Sequence, residues 1–222
     1  MPPRKMLLSW SGGKDSAWAL HTLRENPKYR VAALLTTVNE HFGRVAIHGF
    51  REELLDRQAA SVNLPVWKVP LPYPCTNAEY ESRMAAVCAR AVQEGYEAVA
   101  FGDLFLEDIR AYRVEKLAGT GLEPVFPIWG IPTDQLAREM VAAGLRARIT
   151  CIDPRHLDPS FCGRIFDEDF LRDLPATVDP CGERGEFHSF AYAGPMFSES
   201  IAATHTHNVE REGFVYGDLI PA

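Results

Sequence analysis

The densest run of chemistry-bearing residues is Ser9-Trp10-Ser11-Gly12-Gly13-Lys14-Asp15-Ser16. Two adjacent glycines let the backbone turn through conformations closed to other residues and come close to an anion. Ser11 and Ser16 add hydroxyl donors and Lys14 a cation, and free amides at a helix start favour a phosphate. The composition suits phosphate binding, yet two common phosphate loops are excluded. A Walker loop needs a glycine where Leu8 stands and Ser or Thr where Asp15 stands, and a dinucleotide fingerprint needs a third glycine that is missing. Asp15 has two open roles, holding a charge-neutralising cation or capping the helix that follows.

Other candidates lie farther along. His48 precedes Gly49 in a loop, where it contacts a ligand or packs against the fold. Asp103 follows Gly102, where it binds metal, positions substrate or caps the next helix. Arg110 and Arg113 are spaced to share a helical face and to meet phosphate or carboxylate, although solvated arginines are the commoner case. Gly182-Glu183-Arg184-Gly185-Glu186 reads on its residues alone as a hairpin turn with exposed glutamates. His205 and His207 alternate on one face of a strand without an evident third metal ligand, and read as surface residues.

The elements that position these residues alternate between short apolar runs and amphipathic stretches, the pattern of a parallel sheet covered by helices. Strands are expected at Lys5–Trp10, Val31–Thr37, Pro65–Val69 and Ala98–Phe101, and helices at about Asp15–Asn26, Arg51–Leu64, Asn77–Glu94 and Asp108–Ala118. In the third helix Tyr80, Met84, Val87, Cys88 and Ala91 recur at helical intervals, with Asn77 as the expected N-cap and Gly95 as the stop. The first loop, His48 and Gly102 all fall at carboxyl ends of strands, where open α/β sheets bind ligands. Pro124, Pro127 and Pro132 around Trp129-Gly130 change the texture. That divides the chain into a larger α/β domain, 1–126, which carries the phosphate-binding loop candidate, and a smaller capping domain, 127–222. The second part should hold a helix at Thr133–Ala143, a strand at Ala147–Ile152, a short helix around Asp167–Leu174 and several closing strands.

Composition narrows the function classes. Twenty-three basic against 30 acidic residues give a formal charge of −7, which argues against nucleic acid held by broad phosphate neutralisation. The 46% hydrophobic content suits an ordinary globular core. The N-terminus falls far short of a signal-peptide core or a membrane span, so a cytosolic protein without membrane contact is expected. The five cysteines contain no C-x-x-C pair and should be reduced and mostly buried.

Three segments follow the loop in order: Arg44 to Leu55 with His48-Gly49 inside, Phe101-Gly102-Asp103 through Asp108-Ile109-Arg110, and Cys181 through Phe190. The loop resembles the S-G-G-x-D-S pyrophosphate loop of the ATP pyrophosphatases. The whole set resembles the diphthine–ammonia ligase family over nearly the full chain. The resemblance implies an α/β fold, a Rossmann-like parallel sheet of the HUP type with a smaller α+β C-terminal domain. It implies ATP and Mg2+ as cofactors, ammonia as nitrogen donor, and a carboxylate acceptor that is a small molecule or is borne by a protein such as elongation factor 2. Self-association as a homodimer accords with it. Ser9, Ser11, Gly12, Gly13, Lys14, Asp15, Ser16, His48 and Gly102 would then bind nucleotide, with Asp15 at the metal. Lys14, Asp15, Asp103, Glu183 and Glu186 would serve catalysis, and Arg110, Glu183, Arg184, Glu186 and His188 the substrate. On this reading the loop stabilises departing pyrophosphate, and the two glutamates bind a cationic group and deprotonate the incoming ammonium. Arg184 departs from the family's E-G-G-E pattern and puts the acceptor's identity in question. A related enzyme acting on another carboxylate or on tRNA, and a non-catalytic nucleotide-binding protein, are the alternatives.

Overall fold

The computed structural model describes residues 2–222. Its first sheet is built from β1 (Arg4–Ser9), β2 (Tyr29–Asn39), β3 (Arg44–Val45), β4 (Val66–Leu71), β5 (Ala98–Ala100) and β6 (Glu123–Val125). Five of these strands run parallel in the order β4-β2-β1-β5-β6, while β3 pairs antiparallel with the projecting end of β2. In β1 successive side chains point to opposite faces, and both faces are covered. Met6 and Leu8 enter one apolar cluster and Leu7 the other, each with no exposed surface. Helices α1 (Lys14–Arg24) and α2 (Glu52–Ser61) cover the first face, and α3 (Asn77–Gln93) and α4 (Glu107–Leu117) the second. The strand order reverses at β1, so the loops after β1 and β5 diverge there and leave a crevice at their carboxyl ends.

The expected strands and helices of this region are all present, with ends displaced by up to two residues, and by three at the end of α2, which stops at Ser61. The exception of note is the start of α3. Its N-cap is Thr76, not Asn77: the Thr76 hydroxyl accepts from the Glu79 amide, and the Glu79 carboxylate accepts from the Thr76 amide. Reciprocal pairing of two side chains with two amides outcompetes what Asn77 alone would offer.

The remainder forms α5 (Thr133–Ala142), β7 (Arg146–Ile152), a short 3-10 turn at Pro159–Phe161, β8 (Ile165–Phe166), α6 (Glu168–Asp173), β9 (Phe187–Ala193), β10 (Ala203–Arg211) and β11 (Phe214–Pro221). These strands make a second, antiparallel sheet centred on β7, which pairs with β9 along one edge and with β8 and β11 on the other. One apolar cluster runs from Leu8 and Leu20 of the first sheet and α1 to Ile149 and Phe190 of the second. Polar contacts reinforce the seam: the Arg24 guanidinium donates to the Met196 carbonyl at 2.7 Å, and Ser198 N donates to the Ser61 carbonyl at 2.8 Å. Helix α1 is therefore held on both sides, and the loop that starts it is fixed between two sheets. Among the described residues no helix is long and apolar enough to cross a membrane. All five cysteines are free; Cys151, Cys162 and Cys181 are buried.

Candidate active site

The loop after β1 is shaped from below by apolar and polar contacts. Gly12 has φ +74°, and a Cβ there would lie 2.4 Å from Phe50 and 2.6 Å from Gln58 Oε1, so only glycine fits. Ser11 Oγ accepts from the Gly13 amide at 3.3 Å, and Ser16 Oγ donates to the Gly13 carbonyl at 3.0 Å. Among the described residues the amides of Gly12 and Ser16 meet no protein acceptor, which leaves them for an anion at the start of α1. Gly102, at the end of β5, packs directly against the Asp15–Ser16 peptide.

The second sheet completes the loop. Ala191 N donates to the Gly12 carbonyl at 2.8 Å, and Ser189 Oγ accepts from the Lys14 amide at 3.2 Å. The Ser189 carbonyl accepts from His48 Nδ1 at 2.8 Å, which puts the proton on Nδ1 and leaves Nε2 as the basic nitrogen. Burial pulls His48 down to about 4, against the help of the Ser189 carbonyl, so the ring is neutral at pH 7. His188 stands with its ring centre 4.9 Å from that of His48 and is also held well below the usual imidazole range, first by burial and then by His48 and Lys14.

Lys14 is 2% exposed, and its ammonium donates to the Cys181 carbonyl and to Asp15 Oδ2, the latter at 2.9 Å. Burial pulls the ammonium down, but the Asp15 carboxylate more than restores it, and Lys14 stays charged. The other oxygen, Asp15 Oδ1, is buried without a hydrogen-bond partner. That orphan is what a cation ligand looks like before its ion arrives.

Across the cleft the 179–186 turn is built by two buried carboxylates. Asp179 Oδ1 accepts from the amides of Cys181 and Glu183 at 2.9 and 3.2 Å, and Asp179 Oδ2 accepts from Thr133 Oγ1 at 2.7 Å. Glu186, 3% exposed, accepts from the Asp179 amide through Oε1 and the Arg184 amide through Oε2, both at 3.0 Å. This turn directs Glu183 into the cleft, where Oε1 accepts from the Leu104 amide at 2.7 Å. Burial raises its carboxyl to about 7, with Asp15 and Asp103 adding to the rise and the Leu104 amide opposing it. The loop, His48, His188, Asp103 and Glu183 line one cleft of about 350 Å³. A phosphate-shaped loop and a carboxyl that titrates near neutrality thus share one cavity.

Sequence comparison agrees with that geometry. A family model described as the diphthamide synthase N-terminal domain matches residues 4–122, and one described as the diphthamide synthase C-terminal domain matches residues 132–216. The chain belongs to the diphthamide synthase family. The diphthine–ammonia ligase of Homo sapiens is 29% identical over 213 residues, spanning 86% of this chain and 79% of that protein. That of Bos taurus is 24% identical over the same length and coverage. That of Rattus norvegicus is 31% identical over 115 residues, 49% of this chain and 43% of the relative. The N-terminal match includes the loop after β1, and the C-terminal match the 179–186 turn and β9, so the two faces of the cleft come from different matched segments.

Within this cleft the structure brings together Ser9, Ser11, Lys14, Asp15, Ser16, His48, Gly102, Asp103, Glu183 and His188 as lining residues, while Gly12 and Gly13 stand behind them in the turn. Four expectations change. Glu186 does not face the cleft: both oxygens are consumed by backbone amides of its own turn, so it shapes the loop and leaves Glu183 alone to meet a ligand. Arg184 points outward, with its guanidinium 5.6 Å from the Phe105 ring, because its own amide is tied down to Glu186. Arg110 stacks 4.8 Å from the Trp129 ring instead of entering the cleft. Arg113 takes the inner place and clasps Asp103, with Nε to Oδ2 at 2.5 Å and a second bond at 3.1 Å. Asp103 therefore neither caps α4, whose N-cap is Leu106, nor stands free for metal. His205 and His207 spend one ring nitrogen each on Asn208 and Thr206, and no cluster of three metal-ligating side chains occurs among the described residues. Sequence reasoning missed Gln58, Ser189 and Asp179 as site-building residues. Asp179 carried a usable signal in its place just before a glycine-rich turn and Ser189 one in its place within the Cys181–Phe190 segment, whereas Gln58 carried none.

Proposed function

We propose that this chain is an ATP-dependent, AMP-forming carbon–nitrogen ligase that adenylates a carboxylate and aminates it with free ammonia. The relatives' name gives diphthine as the substrate, and the acceptor proposed for this chain is diphthine or another carboxylate. The observation that carries the reading is the pairing, in one cleft, of unpartnered loop amides with a carboxyl poised near 7.

A carboxylate is a poor electrophile and needs activation. An acceptor oxygen attacks the α-phosphorus of ATP, the bond from that phosphorus to the bridging oxygen breaks, and pyrophosphate departs. Charge then develops on the departing group, and the unpartnered Gly12 and Ser16 amides at the start of α1 are donors suited to stabilising it. Fixed donors of this kind are typically worth roughly 3–4 kcal/mol of barrier each. Ammonia next attacks the acyl carbon, AMP leaves, and the nitrogen gives up a proton. Glu183 in its ionised form accepts that proton, and its pKa near the working pH suits it to return the proton to solvent. Lys14, held by Cys181 and Asp15, ties the loop to the 179–186 turn. Burial of Asp15 Oδ1 without a partner fits a magnesium ion held by Asp15 together with phosphate oxygens; such an ion supplies charge neutralisation on the polyphosphate. In this proposal residues 1–126 bind nucleotide, and 127–222 contribute the proton acceptor and select the acceptor substrate.

The test is product analysis. Protein, ATP, ammonium and a diphthine-bearing protein should yield AMP, pyrophosphate and amide in equal amounts, with all three requiring the acceptor. ADP as the nucleotide product would sink the proposal.

A further inference from the structure

The Gln58 side chain is 0% exposed, lies on α2 outside the cleft, and has all its strong polar positions engaged. Its Nε2 donates to the Gly12 carbonyl at 2.8 Å and to the Ala191 carbonyl at 2.6 Å, and its Oε1 accepts from Trp10 Nε1 at 3.0 Å. The orientation of the amide follows from chemistry alone, because carbonyls only accept and an indole N–H only donates. Three segments converge on this one group: the end of β1 at Trp10, the turn at Gly12, and β9 of the second sheet.

We propose that Gln58 is a positioning residue that sets the anion-binding shape of the 11–16 loop and makes that shape depend on the docking of β9. The inference rests on the reading of this loop as the pyrophosphate site. A trans peptide points its carbonyl and its N–H in opposite directions. Two donors, Gln58 Nε2 and Ala191 N, pull the Gly12 carbonyl into the seam. The Gly13 amide of the same peptide is thereby turned the other way, toward Ser11 Oγ on the cleft side. Gln58 also occupies the space a Gly12 Cβ would need, so the left-handed turn and the glutamine are fitted to each other. Removing the donor leaves a buried carbonyl with one partner fewer and frees the peptide to rotate, which blurs the amide array without touching the remainder of the nucleotide site.

Two variants test this in the full-length protein, with pyrophosphate, ATP and AMP as probes in calorimetric titrations. Gln58→Met keeps length and loses both donors. It should weaken pyrophosphate and ATP by roughly tenfold or more and leave AMP within about twofold. Its KM for ATP should rise more than its kcat falls. Gln58→Glu, which must carry a proton to donate, should recover pyrophosphate affinity relative to AMP as pH is lowered from 8 to 5; it serves also if the methionine variant does not fold. Equal losses for pyrophosphate and AMP, or no loss in either variant, would overturn the inference. Ser11→Ala separates the two layers. If it weakens pyrophosphate while the Gln58 variants do not, the loop reading stands and the role of Gln58 falls. If it leaves pyrophosphate untouched, the loop reading falls and the inference with it.

Discussion

Glu183 is caught between opposing influences: burial and the charges of Asp15 and Asp103 favour its neutral form, while the Leu104 amide and Lys14 favour the carboxylate. The balance near 7 makes two outcomes expected. As proton acceptor, Glu183 works when ionised, so ammonia-dependent turnover should rise as pH passes through about 7. Glu183→Gln should remove that limb and lower kcat by roughly 10²–10⁴-fold, as loss of a general base does; a pH profile at saturating free ammonia checks it. The stability sign is the reverse. A carboxyl whose folded pKa is raised costs stability once pH exceeds its unfolded value, about 4.3, and the cost is complete above about 7. Glu183→Gln should therefore melt higher than the parent at pH 8 and with it at pH 4. His48, held at about 4, does not titrate between pH 5 and 8, so the limb near 7 cannot be its own. His48 instead packs the loop. A Cβ on Gly13 would come 2.6 Å from His48 Cε1, so Gly13→Ala should abolish ATP binding in titrations and the double variant with His48→Ala should partly restore it.

Helix α3 shows which parts of an element can be read from residue order and which cannot. Its period was legible because Tyr80, Met84, Val87 and Cys88 repeat at helical spacing, and these side chains do pack on the second core cluster. Its N-cap was misplaced because Thr76 and Asn77 are both good caps, and only the reach of Glu79 back to the Thr76 amide decides between them. Thr76→Ala should cost about 1 kcal/mol of stability in denaturant titration, with turnover unchanged, since the cap lies outside the cleft. The turn from β1 into α1 was legible for a local reason: glycines, serines and an aspartate between a strand and a helix form one continuous segment. The 179–186 turn was legible as a segment and illegible in its division of labour. Glu183 and Glu186 are alike in sequence, and only folding shows that one carboxylate is consumed by the amides of Asp179 and Arg184. Gln58 was invisible because it meets Ala191 across more than a hundred positions and nothing local marks a polar residue for such a contact; Ser189 lies in the Cys181–Phe190 segment, but its long-range contact with Lys14 was equally unreadable.

At the scale of the molecule, the cleft exists because two sheets share one apolar core and hold α1 between them. The seam is also closed by Asp218 of β11, which accepts from Arg44 at 2.7 Å and from Arg51 at 2.8 Å. Burial pushes the Asp218 carboxyl up, but the two guanidinium groups outweigh it and hold it below the ordinary range. A depressed folded pKa contributes stability that is full above the unfolded value of about 3.9 and is lost as pH falls through the folded one. Asp218→Asn should lower stability by about 1–3 kcal/mol at pH 7 and by progressively less below pH 4, as thermal melts across pH would show. The loop that starts α1 and Glu183 line one cavity, and it is on this arrangement that the proposed acyl-adenylate chemistry rests. Its most direct test is isotopic: the acceptor carboxylate is labelled with oxygen-18 at both positions, turned over with ATP and ammonium, and the products weighed by mass spectrometry. One labelled oxygen in AMP and the other in the amide is the expected result. Label absent from AMP, with amide still formed, would contradict adenylation of the carboxylate.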